Sequence, residues 1–137
     1  MKSRLRACCR VNWLLALGFC LGVAGCGGST PVCKLTTISV SPASAVVDHN
    51  AAAPGSTQHF DAFDATSTPG CAHTLSNLTN ATWSVFDTIN VSISNVHDAT
   101  YGIATCHGAT GGAVTITATV PVGDGTNVTN TASLTCN

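Results

Sequence analysis

Acid–base, metal and nucleophilic chemistry need histidines, carboxylates, thiolates or activated hydroxyls brought together, so those residues are taken first. The five histidines stand at 49, 59, 73, 97 and 107. Their spacing matches neither a helical nor a strand-paired set of ligands, so no metal or other cofactor is expected. Asp61 and Asp64 lie three apart in an extended segment, which turns them to opposite faces and rules out a carboxylate pair. Asp48-His49 has the types for proton transfer, but a general base also needs a partner and a pocket, and neither is visible nearby. Serines are plentiful, yet no Gly-x-Ser-x-Gly elbow occurs. Gly123-Asp124-Gly125 has the look of a calcium-loop fragment, but without a second acidic ligand close in sequence it reads as a turn. Trp83 could stack on a sugar or, as a third-strand Trp does in a two-sheet sandwich, fill the interior, and the interior is the expectation. No catalytic residue is expected.

The elements that must position these residues begin with an N-terminal segment of a different character. Lys2, Arg4, Arg6 and Arg10 are four of the five basic residues in the whole chain. An apolar run, Val11 to Ala24, follows, and small residues close it. This is the layout of a secretory signal, and it is shorter than the ~20 apolar residues that span a membrane. Val23-Ala24-Gly25-Cys26 resembles the bacterial lipobox, with valine at the position where leucine is commoner. The resemblance implies cleavage before Cys26 and a diacylglyceryl group on its sulfur, hence anchorage to a membrane. One acyl chain anchors marginally and two or more hold stably. Gly27, rather than Asp, after the lipidated residue implies passage to the outer membrane in a Gram-negative host.

Removing residues 1–25 leaves 112 residues, the size of one domain. This part keeps six Asp, no Glu and a single Lys34, a formal charge of −5 from one minus six. So acidic a chain cannot neutralise phosphates, which excludes nucleic acid as a partner. Cys8, Cys9 and Cys20 leave with the signal and lipid takes Cys26. Cys33, Cys71, Cys106 and Cys136 remain, and an even set in an exported chain reads as two disulfides.

No long stretch repeats apolar residues at helical spacing. Short alternating runs recur between turn residues, which predicts an all-β domain. In "AVTITATV", Val114, Ile116, Ala118 and Val120 share a face, and Pro121 is expected to end the pairing. "PVGDGTNVTN" then reads as a long turn and "TASLTC" as the last strand, with Leu134 inward. Upstream, Ile38 and Val40 are inward in "LTTISVSP", and Ala43 to Val47 continue that strand on the other sheet. Phe60 and Ala62 are inward in "STQHFDAFDA", leaving Phe63 outward to cover a loop or join a contact surface. Trp83 and Val85 share a face in "ATWSVF"; Ile89, Val91 and Ile93 alternate in "TINVSISN"; "ATYGIATC" supplies a further strand. Six or seven short strands suit a two-sheet sandwich with Phe60, Trp83, Ile116 and Leu134 in its core.

The succession "ISVSP", "GSTQHFDA", "ATWSVFD", "INVSISN" and "GGAVTITATV" resembles a bacterial Ig-like domain of group 2 across roughly Leu35 to Thr135. The resemblance implies an Ig-like antiparallel sandwich of about seven strands over residues 35–137, preceded by a lipidated Cys26 and a short tether to residue 34. Its departures are the four cysteines and an insertion at about Thr66 to Asn80. In that strand order Cys33 and the loop bearing Cys71 lie at one end, and Cys106 and Cys136 end strands running to the other. Bridging Cys33 to Cys136 would cross the sandwich, ~20 Å against a Cα limit of ~7 Å. Cys33–Cys71 and Cys106–Cys136 are therefore the expected bonds. The six-residue tether, Gly27 to Val32, reaches at most ~20 Å, which suits contact with neighbours at the membrane better than long-range adhesion. The expected function is a non-enzymatic envelope module that binds a protein or glycan. Phe63, His73 and Asp124, with the loops Ala65–Asn80 and Val122–Asn130, are its expected contact surface. The competing expectation is a small enzyme or accessory domain that holds a small molecule or metal in its loops.

Overall fold

A computed structural model describes residues 33–67, 71 and 76–137, and all of them belong to one β-sandwich. Residues 1–32, with the expected signal segment and Cys26, and His73 lie outside the described residues, so the expectations placed on them are not addressed by the fold. The strands are β1 (Ile38–Ser41), β2 (Ser44–Val47), β3 (Thr57–His59), β4 (Asp61–Asp64), β5 (Thr82–Val85), β6 (Val91–Ile93), β7 (Ile103–Cys106), β8 (Val114–Val122) and β9 (Thr126–Cys136). No helix occurs among the described residues.

One layer is the four-stranded ladder β2-β9-β8-β5. The other joins β1-β4 to β3-β7-β6, because β3 and β4 are two halves of one strand interrupted only at Phe60, whose N–H donates to Gly102 O at 2.9 Å. Gly102 can make this approach because it has φ +75° and no Cβ; a Cβ there would stand 2.4 Å from Phe60 O. β1 and β2 are likewise one strand that changes layers at Ser41–Pro42. Nine elements thus reduce to seven strands: the second, fourth and fifth share one layer with the β1 half of the first, and the third, sixth and seventh lie opposite with its β2 half. That partition is the one of immunoglobulin-type sandwiches. All pairings are antiparallel except β2–β9, which is parallel, with Ser44 opposite Ser133.

The alternation places the core as expected. Phe60 and Ile38 are 1% exposed, Trp83 3%, and Ile116 and Leu134 are fully covered. Val40, Ala62, Val91, Ala104, Ala118 and Val120 fill the space between them. Most of these are small or β-branched, so the layers meet over a core with few large rings. Each buried aliphatic or aromatic side chain contributes about 1.5–3 kcal/mol relative to exposure.

Both expected disulfides are present. Cys33–Cys71 has a Cα separation of 5.6 Å and Cys106–Cys136 one of 5.9 Å. Cys106 and Cys136 are buried and tie the foot of β7 to the foot of β9 across the two layers. Cys33 is exposed and sits at the opposite end, where the chain enters the sandwich.

Three local expectations fail for identifiable reasons. Pro121 does not end pairing: β8 continues to Val122, and Pro121 stands opposite Asn127. Val122 O accepts from Gly125 N at 3.2 Å, so Val122 turns its polar groups to β9 and Pro121 turns its nitrogen the other way. β5 has already ended on that side, since its first residue, Thr82, pairs with Thr119, so no acceptor there is deprived. The Val122–Asn130 loop is consequently a tight hairpin. Residues 123–125 make the turn, Gly125 sits at φ +80°, and Asp124 Oδ1 accepts from Thr126 N at 3.1 Å. Ile89 does not share a strand with Val91 and Ile93 but is 86% exposed, because β6 begins only at Val91 and Asp87 closes a turn over Ile89 and Asn90.

Candidate functional site

Call the end where the chain enters the upper end. There, Thr66 Oγ1 accepts from Thr36 N at 2.9 Å and from Thr37 N at 3.3 Å, which pins the entering chain to the segment after β4. Lys34 bonds and ion-pairs with Asp124 of the β8–β9 hairpin. The Lys34 ammonium, and then the Thr126 hydroxyl, hold the Asp124 carboxyl well below the usual carboxylate range. A groove of about 340 Å³ between Leu35, Leu78 and Val120–Gly123 opens beside them. Asp124 is therefore a turn residue that the lone cation of the described residues engages. Phe63 lies on the outer face of β4, half-buried, with its backbone bridged to Asn77. Phe63 and Asp124 engage different partners and do not converge.

The lower end has a different chemistry. Phe86, 89% exposed, and Ile89, 86% exposed, project from the turn between β5 and β6. They flank a groove of about 470 Å³ whose other wall is Thr110 and Ala113–Thr115. Asp87 sits between them, accepting from Ile89 N at 3.1 Å, Asn90 N at 3.2 Å and Asn90 Nδ2 at 2.8 Å. The bonds from Asn90 hold its carboxyl below the usual range, so it stays ionised. The two large apolar side chains form an exposed apolar patch beside this groove. Their signal in the sequence was the pair of apolar residues around Asp87, hidden because alternation grouped Ile89 with Val91 and Ile93 in one strand.

On the outer face of the β3-β7-β6 sheet, Ser92 Oγ and His107 Nε2 lie 2.8 Å apart. Ser92 pairs with Thr105, so His107 is its diagonal neighbour across β6 and β7, within reach of a long side chain. A shallow groove of about 560 Å³ runs beside Ser92, lined by Pro54, Thr57, Thr100, Ile103 and Thr105. A serine bonded to an imidazole has the types for nucleophilic attack. Both residues are solvent-exposed, and among the described residues no carboxylate orients His107. His59 has its own acidic neighbour, Asp61, at 3.7 Å. No cluster of three or more His, Cys, Asp or Glu fit to hold a metal occurs among the described residues.

Trp83 is walled in beneath these surfaces. The Tyr101 hydroxyl reaches over it and donates to Ala81 O, and burial pushes the Tyr101 phenol up. Trp83 offers no face to a sugar.

No family model, no curated protein and no solved structure matches this chain.

Proposed function

We propose that this chain is an exported lipoprotein, anchored through Cys26, whose folded part is a single non-enzymatic module of the bacterial Ig-like kind that contacts a protein or glycan partner at the envelope. The observation that carries this reading is the division of labour between the two ends. The tether enters at Cys33, and the exposed pair Phe86 and Ile89 lies at the opposite end of the sandwich. A lipid on Cys26 holds the upper end close to the bilayer and presents the lower end to neighbours. Gly27 after the lipidated cysteine directs such a protein to the outer membrane of a Gram-negative cell. The net charge of −5 in the part after the signal disfavours anionic partners, nucleic acid among them.

The test is mass spectrometry of the membrane fraction joined to partner capture. The expected N-terminal peptide begins at Cys26 and carries acyl mass, and Cys26→Ser abolishes it. Crosslinking in native membranes should retain a specific neighbour that Phe86→Ala with Ile89→Ala loses. An unacylated peptide starting at Cys26 refutes the anchor; capture indifferent to both substitutions refutes the contact end.

The Ser92–His107 pair beside its groove favours the second reading, a small hydrolase or ligand-binding accessory. Turnover of activated esters by purified protein, lost in Ser92→Ala, would establish it over the first.

A further inference from the structure

β5 is the outer strand of its sheet, and an outer strand offers unpaired N–H and C=O groups to any extended chain. Phe86 N donates to Thr115 O at 3.1 Å, so Phe86 and Ser84 turn their polar groups to β8, while Trp83 and Val85 turn theirs to the open side. Trp83 is nevertheless closed. Its N–H donates to Asn95 Oδ1 at 2.6 Å, and its C=O accepts from Asn95 Nδ2 at 2.9 Å. One side-chain amide, from the exposed loop after β6, stands where the peptide group of a next strand would be.

We propose that Asn95 is a latch that bars the β5 edge from strand pairing, and that the partner it bars is a second copy of this chain. A two-fold through Ser84 sets Trp83 of each copy opposite Val85 of the other, so both outward-facing residues pair completely. It also sets exposed Phe86 opposite Thr82 of the other copy. Thr82–Val85 carries no charge, so this strand can approach its twin although the domain is acidic overall. A groove of about 280 Å³ between β5 and β6 leaves the approach open.

The count of hydrogen bonds says why the latched edge stays unpaired. Pairing two latched copies forms only as many bonds as unlatching breaks, and association costs translational and rotational freedom besides. The latched chain therefore stays monomeric. Removing the Asn95 amide removes the breakage and leaves the gain.

The experiment places a reporter on the axis. Directly opposed residues of a non-hydrogen-bonded pair have Cα atoms ~4.5 Å apart, within reach of a disulfide. Ser84→Cys is compared in the otherwise unchanged protein and with Asn95→Ala, under mild oxidation, by non-reducing gel and peptide mapping. The dimer joined through the introduced cysteines should rise at least about tenfold with Asn95→Ala, the factor carried by one net hydrogen bond. Trp83 amide exchange should quicken in the monomer of that variant and slow again in its dimer. Equal crosslinking in both backgrounds overturns the latch. Absence of crosslinking in a natively melting Asn95→Ala variant overturns the surface. Asn95→Asp keeps the acceptor for Trp83 N–H but sets an oxygen against Trp83 C=O; it should crosslink to an intermediate extent, and no crosslinking in either variant overturns the proposal.

Discussion

Removing the two disulfides separately should show that burial, not loop length, decides their worth. The chain-entropy model depends only on the loop each bond closes, and the separations are 38 residues for Cys33–Cys71 and 30 for Cys106–Cys136. Either loop is worth about 4 kcal/mol on that model, the longer one marginally more. The surroundings differ far more than the lengths. Cys106 is 3% and Cys136 2% exposed, at the joint between the layers, so replacing both with alanine leaves two small voids. A methyl-sized void costs about 1 kcal/mol, which brings the loss for the lower bond to about 6 kcal/mol. The upper bond starts from exposed Cys33, ahead of β1, so no void adds to its loop entropy, and bonds from Thr66 hold the same segment without it. Its removal should cost about 4 kcal/mol at most.

Urea denaturation of Cys33→Ala/Cys71→Ala and of Cys106→Ala/Cys136→Ala measures both losses against the parent. Total stabilities of small domains are about 5–15 kcal/mol, so the lower pair should approach the limit of folding while the upper pair stays folded. An upper-pair loss equal to or larger than the lower-pair loss, with unchanged denaturant slopes, would refute the argument. It would mean that the denatured-state loop alone governs and that the joint between the layers adds nothing.

Two further outcomes follow from single positions. Gly102→Ala should cost more than about 2 kcal/mol by thermal or urea denaturation, because the new methyl meets Phe60 O at 2.4 Å and φ is +75°; near-neutral behaviour would mean that the β3–β4 break can move aside. Carboxyl-detected NMR titration of Asp124 should give a midpoint below the ordinary 3.8, because Lys34 and Thr126 stabilise its charged form. With the folded value depressed, its contribution to stability is complete above the unfolded value and is lost as pH falls toward the folded one, so Lys34→Met should move the midpoint up.

Faces were legible in the sequence, and ends and edges were not. A period of two assigns a side of the sheet from a few residues, which is why Phe60, Ala62, Trp83, Ile116 and Leu134 all lie inward. The disulfides were legible from the strand order that the resemblance implied, which put each pair at one end of the sandwich. The same periodicity misleads once a strand stops. Ile89 keeps the phase of Val91 but stands in a turn, and the Asp87 carboxylate that builds the turn from the Ile89 and Asn90 amides carries no periodic mark. Pro121 misled in the opposite sense, because its missing donor matters only if the nitrogen faces a neighbour, and the sequence does not say where β5 ends. The side-chain relations between strands depend on register. Ser92 meets His107 because Val91 pairs with Cys106, and Asn95 meets Trp83 because β5 ends its sheet. Neither neighbour can be named until the ladders are in place. Hence the sandwich could be reached from the chain alone, while the lower-end pair Phe86 and Ile89, the Ser92–His107 contact and the Asn95 latch had to wait for the structure.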